Sequence, residues 1–215
     1  MQNPNSYFDS TGLDVEVLVG GPYGDTGYGH VALRVYGDSG GECGCESYDN
    51  TYDFGRYGKQ WGTGGSEGEG MMRVWNDFSA YISSQNAYGR TTTGYVYATT
   101  AAQDAAIIDY YSQVMQGISP NLTRGDFMNQ YRLPADYHAA NNNCTTQAFD
   151  GLGAGAPGLR NLLNDNKFDK GLGLSLSQKL GYRMAKDGNG VRMPLDLGAA
   201  AGATGRHKAT NVYGN

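Results

Sequence analysis

Two short stretches, DVEVLV at 14–19 and HVALRVY at 30–36, constrain the fold of this chain more than any other feature. Both alternate apolar and polar residues. A two-residue period puts every second side chain on the same face of a strand. Val15, Val17 and Val19 therefore share a face, as do Val31, Leu33 and Val35, while His30, Ala32, Arg34 and Tyr36 point the other way. The glycines and Pro22 between the two stretches read as a loop, as does GDSGGECGCE at 37–46. Further strands are expected at 47–54 (SYDNTYDF), 71–75 (MMRVW) and 93–100 (TGYVYATT).

Helical spacing appears later in the chain. Residues 77–88 predict a short helix capped by Asp77 or Ser79. AAQDAAIIDYYSQVMQG at 101–117 predicts a longer one, with Ile107, Ile108, Tyr111 and Met115 on its apolar positions and Gly117 as its stop. Residues 118–140 are mixed, with Asn and Pro breaks. A helix is expected from near Asn143 to Gly151 or Gly153, and two more at about 158–165 and 174–185. The expected fold class is α+β, with an antiparallel sheet or half-barrel. Residues 1–197 form the expected domain. Residues 198–215, GAAAGATGRHKATNVYGN, hold little apolar material and read as a flexible Gly/Ala-rich tail.

Composition excludes several function classes. A 215-residue chain that is 39% hydrophobic can bury a core without metal or disulfide support. Its 34 glycines and 17 tyrosines fit a turn-rich mixed domain rather than a helical bundle. The net charge is −5 and no basic stripe occurs, so no nucleic-acid partner is expected. MQNPNSYFDSTG has no basic segment followed by an apolar one, so no classical signal peptide is read. No apolar run approaches the ~18 residues of a membrane span. The expectation is a chain made in the cytoplasm, exported only by a dedicated machine.

The cysteines are Cys43, Cys45 and Cys144. An odd count with one C-x-C pair is no disulfide framework. C-x-C, one distant Cys and three scattered His match no standard zinc module, so neither metal nor other cofactor is expected. Cys144 lies in NNNCTTQAFDGLG (141–153). A thiol on the first turn of a helix meets the positive end of the dipole and unpaired backbone N–H groups, which favour the thiolate and can hold an oxyanion. The preceding asparagines are good N-caps. A buried structural cysteine is the other reading, and this segment alone admits both.

An activated thiol needs a base. His207 lies in the expected tail and His138 in an expected loop, whereas His30 opens a strand. If 30–36 and 47–53 pair as a hairpin with Tyr36 opposite Ser47, His30 falls opposite Asp53 and Arg34 opposite Asp49. Opposite residues share a sheet face, so Asp53 would reach the His30 ring. A one-residue slip would remove that contact.

GHVALRV, then TYDFGRYG on a hairpin partner, then NCTTQAFDGLG at a helix start resembles the circularly permuted branch of the NlpC/P60 papain-like superfamily. That branch includes lecithin:retinol acyltransferase-like proteins and bacterial cell-wall hydrolases. The resemblance covers roughly residues 15–155 and is carried by Gly29-His30, Asp53 and Asn143-Cys144. Family members place His, Asn, Gln or Glu where Asp53 stands. The resemblance implies a papain-like fold with Cys144 as nucleophile, His30 as base and Asp53 as its orienting partner. It implies an oxyanion site at the Cys144 N–H with Asn142, Asn143 or Tyr28 nearby. Size, missing signal and Gly-rich tail resemble type VI secretion amidase effectors. By that likeness the substrate is a peptidoglycan stem peptide, with an immunity protein and a secretion-apparatus carrier as partners and the target-cell periplasm as destination.

Three readings stand: a cysteine amidase or endopeptidase; an acyltransferase, transglutaminase or deamidase on the same fold; and a non-catalytic phage or secretion-apparatus component. A membrane acyltransferase should expose an amphipathic segment, and none stands out in the sequence.

Overall fold

A computed structural model describes residues 13–22, 28–37 and 47–214. The chain runs through β1 (Leu13–Gly20), β2 (His30–Gly37), β3 (Tyr48–Gly55), β4 (Gln60–Trp61), β5 (Glu67–Gly68), β6 (Met71–Trp75), α1 (Phe78–Ala87), β7 (Thr92–Ala98) and α2 (Ala101–Val114). It continues through β8 (Leu122–Arg124), β9 (Met128–Arg132), β10 (Tyr137–His138), α3 (Cys144–Gly155), α4 (Pro157–Leu163), α5 (Leu176–Ala185), α6 (Pro194–Thr204) and β11 (Ala209–Tyr213). The fold is mixed α+β. Eight strands form one antiparallel sheet in the order β11-β7-β1-β2-β3-β6-β9-β8, and β10-β5-β4 make a small second sheet. Cys43 and Cys45 lie outside the described residues.

The alternation in β1 and β2 divides the core. Val15, Val17, Val19, Val31, Leu33 and Val35 form the main core with Tyr52, Phe54 and Met72. On that face the sheet is covered by α2, α3 and α6. The other face carries a smaller cluster of Leu18, Ala32, Trp75, Tyr81 and Met128, in which Tyr81 comes from α1. Both sheet faces are covered, so burying the alternate residues of β1 is compatible with its fully buried pattern.

Helix α3 runs beyond its expected end. Gly151 and Gly153 do not stop it, and Gly151 and Gly155 let α2 approach. A Cβ at Gly151 would come within 2.5 Å of the Tyr111 hydroxyl, and one at Gly155 within 2.1 Å of the Gln103 carbonyl. The Tyr111 hydroxyl donates instead to the Gln147 carbonyl, at 3.0 Å.

The expectation of a flexible tail at 198–215 is overturned. Residues 194–204 are helix α6, with Leu197, Ala200 and Ala201 fully buried. Small side chains pack closely, so little apolar mass per residue was needed. β11 then pairs with β7 and completes the sheet edge. Residues 118–140 also hold more order than their Asn and Pro breaks predict, since β9 pairs with β6 along its length.

The assumed register of β2 against β3 needs a correction of two residues. Tyr36 lies opposite Asp49, Arg34 opposite Thr51 and Leu33 opposite Tyr52. A shift of two preserves the faces. Both expected side-chain pairs therefore form on the diagonal rather than straight across. Arg34 donates to both Asp49 carboxylate oxygens, at 2.8 and 2.7 Å.

Candidate active site

Cys144 is the first residue of α3 and is almost fully buried. Asn143 caps the helix: its Oδ1 accepts from the Thr146 N–H at 3.0 Å, and the Thr146 hydroxyl accepts from the Asn143 N–H at 2.8 Å. Such a capping box fixes the first turn. It leaves the N–H groups of Cys144 and Thr145, at the first two helical positions, beyond reach of any intrahelical carbonyl.

His30 is the first residue of β2, and its placement depends on the glycine before it. A Cβ at Gly29 would sit 2.6 Å from the Gly20 carbonyl and 3.0 Å from Pro194 Cβ. Only glycine lets the chain enter β2 between β1 and α6. The His30 ring then lies on the same face as Asp53, and Nε2 meets Asp53 Oδ1 at 2.5 Å. The rest of the carboxylate is also bound. The Tyr57 hydroxyl donates to Oδ1 at 2.7 Å, and the Trp75 indole N–H reaches Oδ2 at 3.4 Å. Asp53 is fully buried and directly opposite Arg73 on β6.

His30 and Cys144 line one cleft of about 540 Å³ and act on each other's ionisation. Burial alone would push the His30 imidazole down. The Asp53 charge and hydrogen bond outweigh it, Cys144 adds to them, and the imidazole is raised to about 9. Burial likewise pushes the Cys144 thiol up, but His30 and the Val31 N–H together bring it below its ordinary value. Burial also opposes the Asp53 carboxylate, yet His30, Arg73 and Tyr57 hold it below the usual carboxylate range. The direction of all three shifts favours the charged forms: a thiolate beside an imidazolium that is backed by a carboxylate. With Nε2 committed to Asp53, Nδ1 is the nitrogen left for the sulfur.

The expected oxyanion residues separate. Tyr28 lines the cleft beside His30. Asn142 and Asn143 need a correction. The Asn142 amide donates to the Asp136 carbonyl at 2.6 Å and accepts from Gln147 at 2.9 Å. The Asn143 amide donates to the carbonyls of Ala139 and Arg192 at 2.6 and 3.0 Å. These side chains are spent on holding the turn before α3. His138 has a turn role, with Nδ1 accepting from the Ala140 N–H at 3.2 Å.

Tyr57, Trp75 and Arg73 were missed from the sequence. A signal existed for Arg73 and Trp75: pairing the alternating MMRVW with TYDFG puts both on the Asp53 face. None existed for Tyr57, which leaves the end of β3 and turns back. Among the described residues, no group of three or more His, Cys, Asp or Glu is arranged to hold a metal ion. Also among them, no helix is long and apolar enough to cross a membrane. Compared with protein families, curated proteins and solved structures, the chain finds no significant match in any of the three.

Proposed function

We propose that the protein is a papain-like cysteine amidase or endopeptidase of the permuted NlpC/P60 type, acting on peptide amide bonds such as those of peptidoglycan stem peptides. The observation that carries this reading is the placement of Cys144, at the start of α3, and His30 in one cleft, with Asp53 bound to the imidazole Nε2 at 2.5 Å. A buried cysteine without a role would have its thiol raised by burial; this one is lowered.

In this mechanism the Cys144 thiolate attacks the amide carbonyl and the C=O electrons move onto oxygen. The N–H groups of Cys144 and Thr145 at the start of α3 receive that charge. The His30 imidazolium gives its proton to the leaving amine as the C–N bond breaks, and a thioester remains. His30, now neutral, takes a proton from water, and the resulting hydroxide cleaves the thioester. Asp53 keeps Nε2 as its partner throughout, so Nδ1 keeps facing the reaction.

One observation favours a second reading, acyl transfer at a lipid surface. Helix α5 exposes Leu176 at 87%, Leu180 at 63% and Met184 at 80%, one turn apart along one side, beside Lys179 and Arg183. This is the amphipathic segment that did not stand out in the sequence. It is tied to the candidate site, because the Asn141 amide donates to the Ala185 carbonyl at 2.9 Å.

The test is mass spectrometry of purified peptidoglycan fragments incubated with the protein, with and without phospholipid vesicles. Amide hydrolysis is expected. It should vanish in Cys144→Ala and His30→Ala, because nucleophile and base act as a unit. Cleavage by either variant at the parental rate would end this reading. Acyl transfer involving lipid, in place of hydrolysis, would shift the assignment to the second.

A further inference from the structure

Among the described residues, the charged side chains lining the cleft that holds Cys144 are basic, although the chain carries a net charge of −5. Arg56, Arg73 and Arg90 line it, and no described Asp or Glu does. The carboxylate nearest the reacting groups, Asp53, lies beneath the cleft and is neutralised by His30. Three half-buried guanidinium groups are therefore gathered where a ligand would sit.

The individual arginines show what they lack. Arg56 follows the end of β3, and its guanidinium has no hydrogen-bond or carboxylate partner among the described residues; its ring neighbour is Tyr137, at 5.9 Å. It lies across two glycines, since a Cβ at Gly65 would come within 2.8 Å of its Nη1 and one at Gly68 within 3.1 Å of its Cβ. Arg73 faces the Asp53 carboxylate, which it shares with His30, and is braced from the side: Nε donates to Gln130 at 2.8 Å and the guanidinium stacks 3.5 Å from the Tyr57 ring centre. No salt bridge of Arg73 occurs among the described residues. Arg56 has no described counterion, and Arg73 shares the one Asp53 carboxylate with His30, so positive charge partly withdrawn from water is left for a ligand to offset. The planar fork of arginine suits a carboxylate, which it can bind through two parallel N–H donors.

Resting on the cysteine-amidase reading, we infer that Arg56 and Arg73 form a carboxylate subsite. It selects acyl donors whose free carboxylate lies a few bonds from the scissile carbonyl. The tyrosines beside them, Tyr28, Tyr57 and Tyr137, provide flat walls for the intervening chain. This subsite reconciles an acidic protein with an acidic peptide substrate, because attraction is confined to the cleft.

Labelling kinetics test the subsite without knowledge of the natural substrate. A series of maleimides carrying a terminal carboxylate on linkers of increasing length is compared with the matched neutral amides. Alkylation of Cys144 is read separately from Cys43 and Cys45 by peptide mass spectrometry. At one linker length the acid should label Cys144 about tenfold faster than its amide, the size given by one charge-assisted hydrogen bond. Arg56→Gln should remove that advantage, bringing the acid-to-amide rate ratio close to one, while Arg56→Lys should retain part of it. Rapid labelling with equal rates for acid and amide at every linker length would overturn the subsite and leave the activated thiol standing. Labelling by both no faster than a free thiol would overturn the amidase reading and the subsite together.

Discussion

At the scale of single residues, the charge on His30 decides what Cys144 can do. An imidazole buried without partners would be neutral at pH 7. The Asp53 carboxylate reverses this and raises it to about 9. The thiolate forms as pH rises through the lowered value of Cys144, and the imidazolium proton is lost as pH rises through about 9. Activity should therefore follow a bell in pH, with its alkaline limb near 9. Asp53→Asn removes the charge that holds the imidazolium but leaves an oxygen able to accept from Nε2–H. Its alkaline limb should move down by more than one unit, and it should lose less activity than Asp53→Ala, for which a loss of about 100-fold is expected. A full pH–rate profile of both variants measures this. An unchanged alkaline limb in Asp53→Asn would separate Asp53 from the ionisation of His30.

At the scale of elements, the site rests on how α3 begins. Asn143 accepts from Thr146 N–H and donates to two carbonyls, one of them Arg192, which leads into α6. Asn143→Ala should destabilise the protein by about 2 kcal/mol, combining a lost cap with buried carbonyls left unpaired. It should also slow Cys144 alkylation, because the frayed turn no longer fixes the sulfur beside His30. Urea denaturation and labelling rates measure the two effects; loss of stability with unchanged labelling would detach the cap from the thiol. Much of this was legible in the sequence. The alternation of HVALRVY fixed which face His30 shares, and the three asparagines before Cys144 marked a helix start. The contact of His30 with Asp53 survived a register wrong by two residues because side-chain facing depends only on parity. Three kinds of feature were not legible. Gly151 carries no mark distinguishing a helix stop from a site of close approach by α2. The use of the asparagine side chains for the turn depended on carbonyls far along the chain. The arginines of the cleft come from separated elements and show no cluster in sequence.

At the scale of the whole molecule, the C-terminal residues belong to the domain, and their burial links distant parts of the sheet. Glu16 on β1 is fully buried, and among the described residues its carboxylate is shared by three donors: Arg34 on β2 at 3.1 Å, Asn211 at 3.1 Å and the Tyr213 hydroxyl at 2.8 Å. The opposing strand β7 makes room with Gly94, where a Cβ would lie 1.9 Å from a Glu16 oxygen. Lys208 also pairs with Asp14 at 2.5 Å. Ending the chain after Gly205 would remove two of the three Glu16 donors and the partner of Asp14, and would open the β7 edge to pairing with other molecules. The truncated protein should be destabilised by roughly 3 kcal/mol or more, as expected when a buried carboxylate loses its partners, and should self-associate. Tyr213→Phe removes a single donor and should lower stability by about 1 kcal/mol without association. Urea midpoints and light scattering of the two variants give the comparison. Equal midpoints for the truncated and full chains would mean that β11 is dispensable and that Arg34 alone satisfies Glu16. A graded loss from parent to Tyr213→Phe to truncation would show that the last strand of the sheet holds a charge on β1, next to the strand that presents His30.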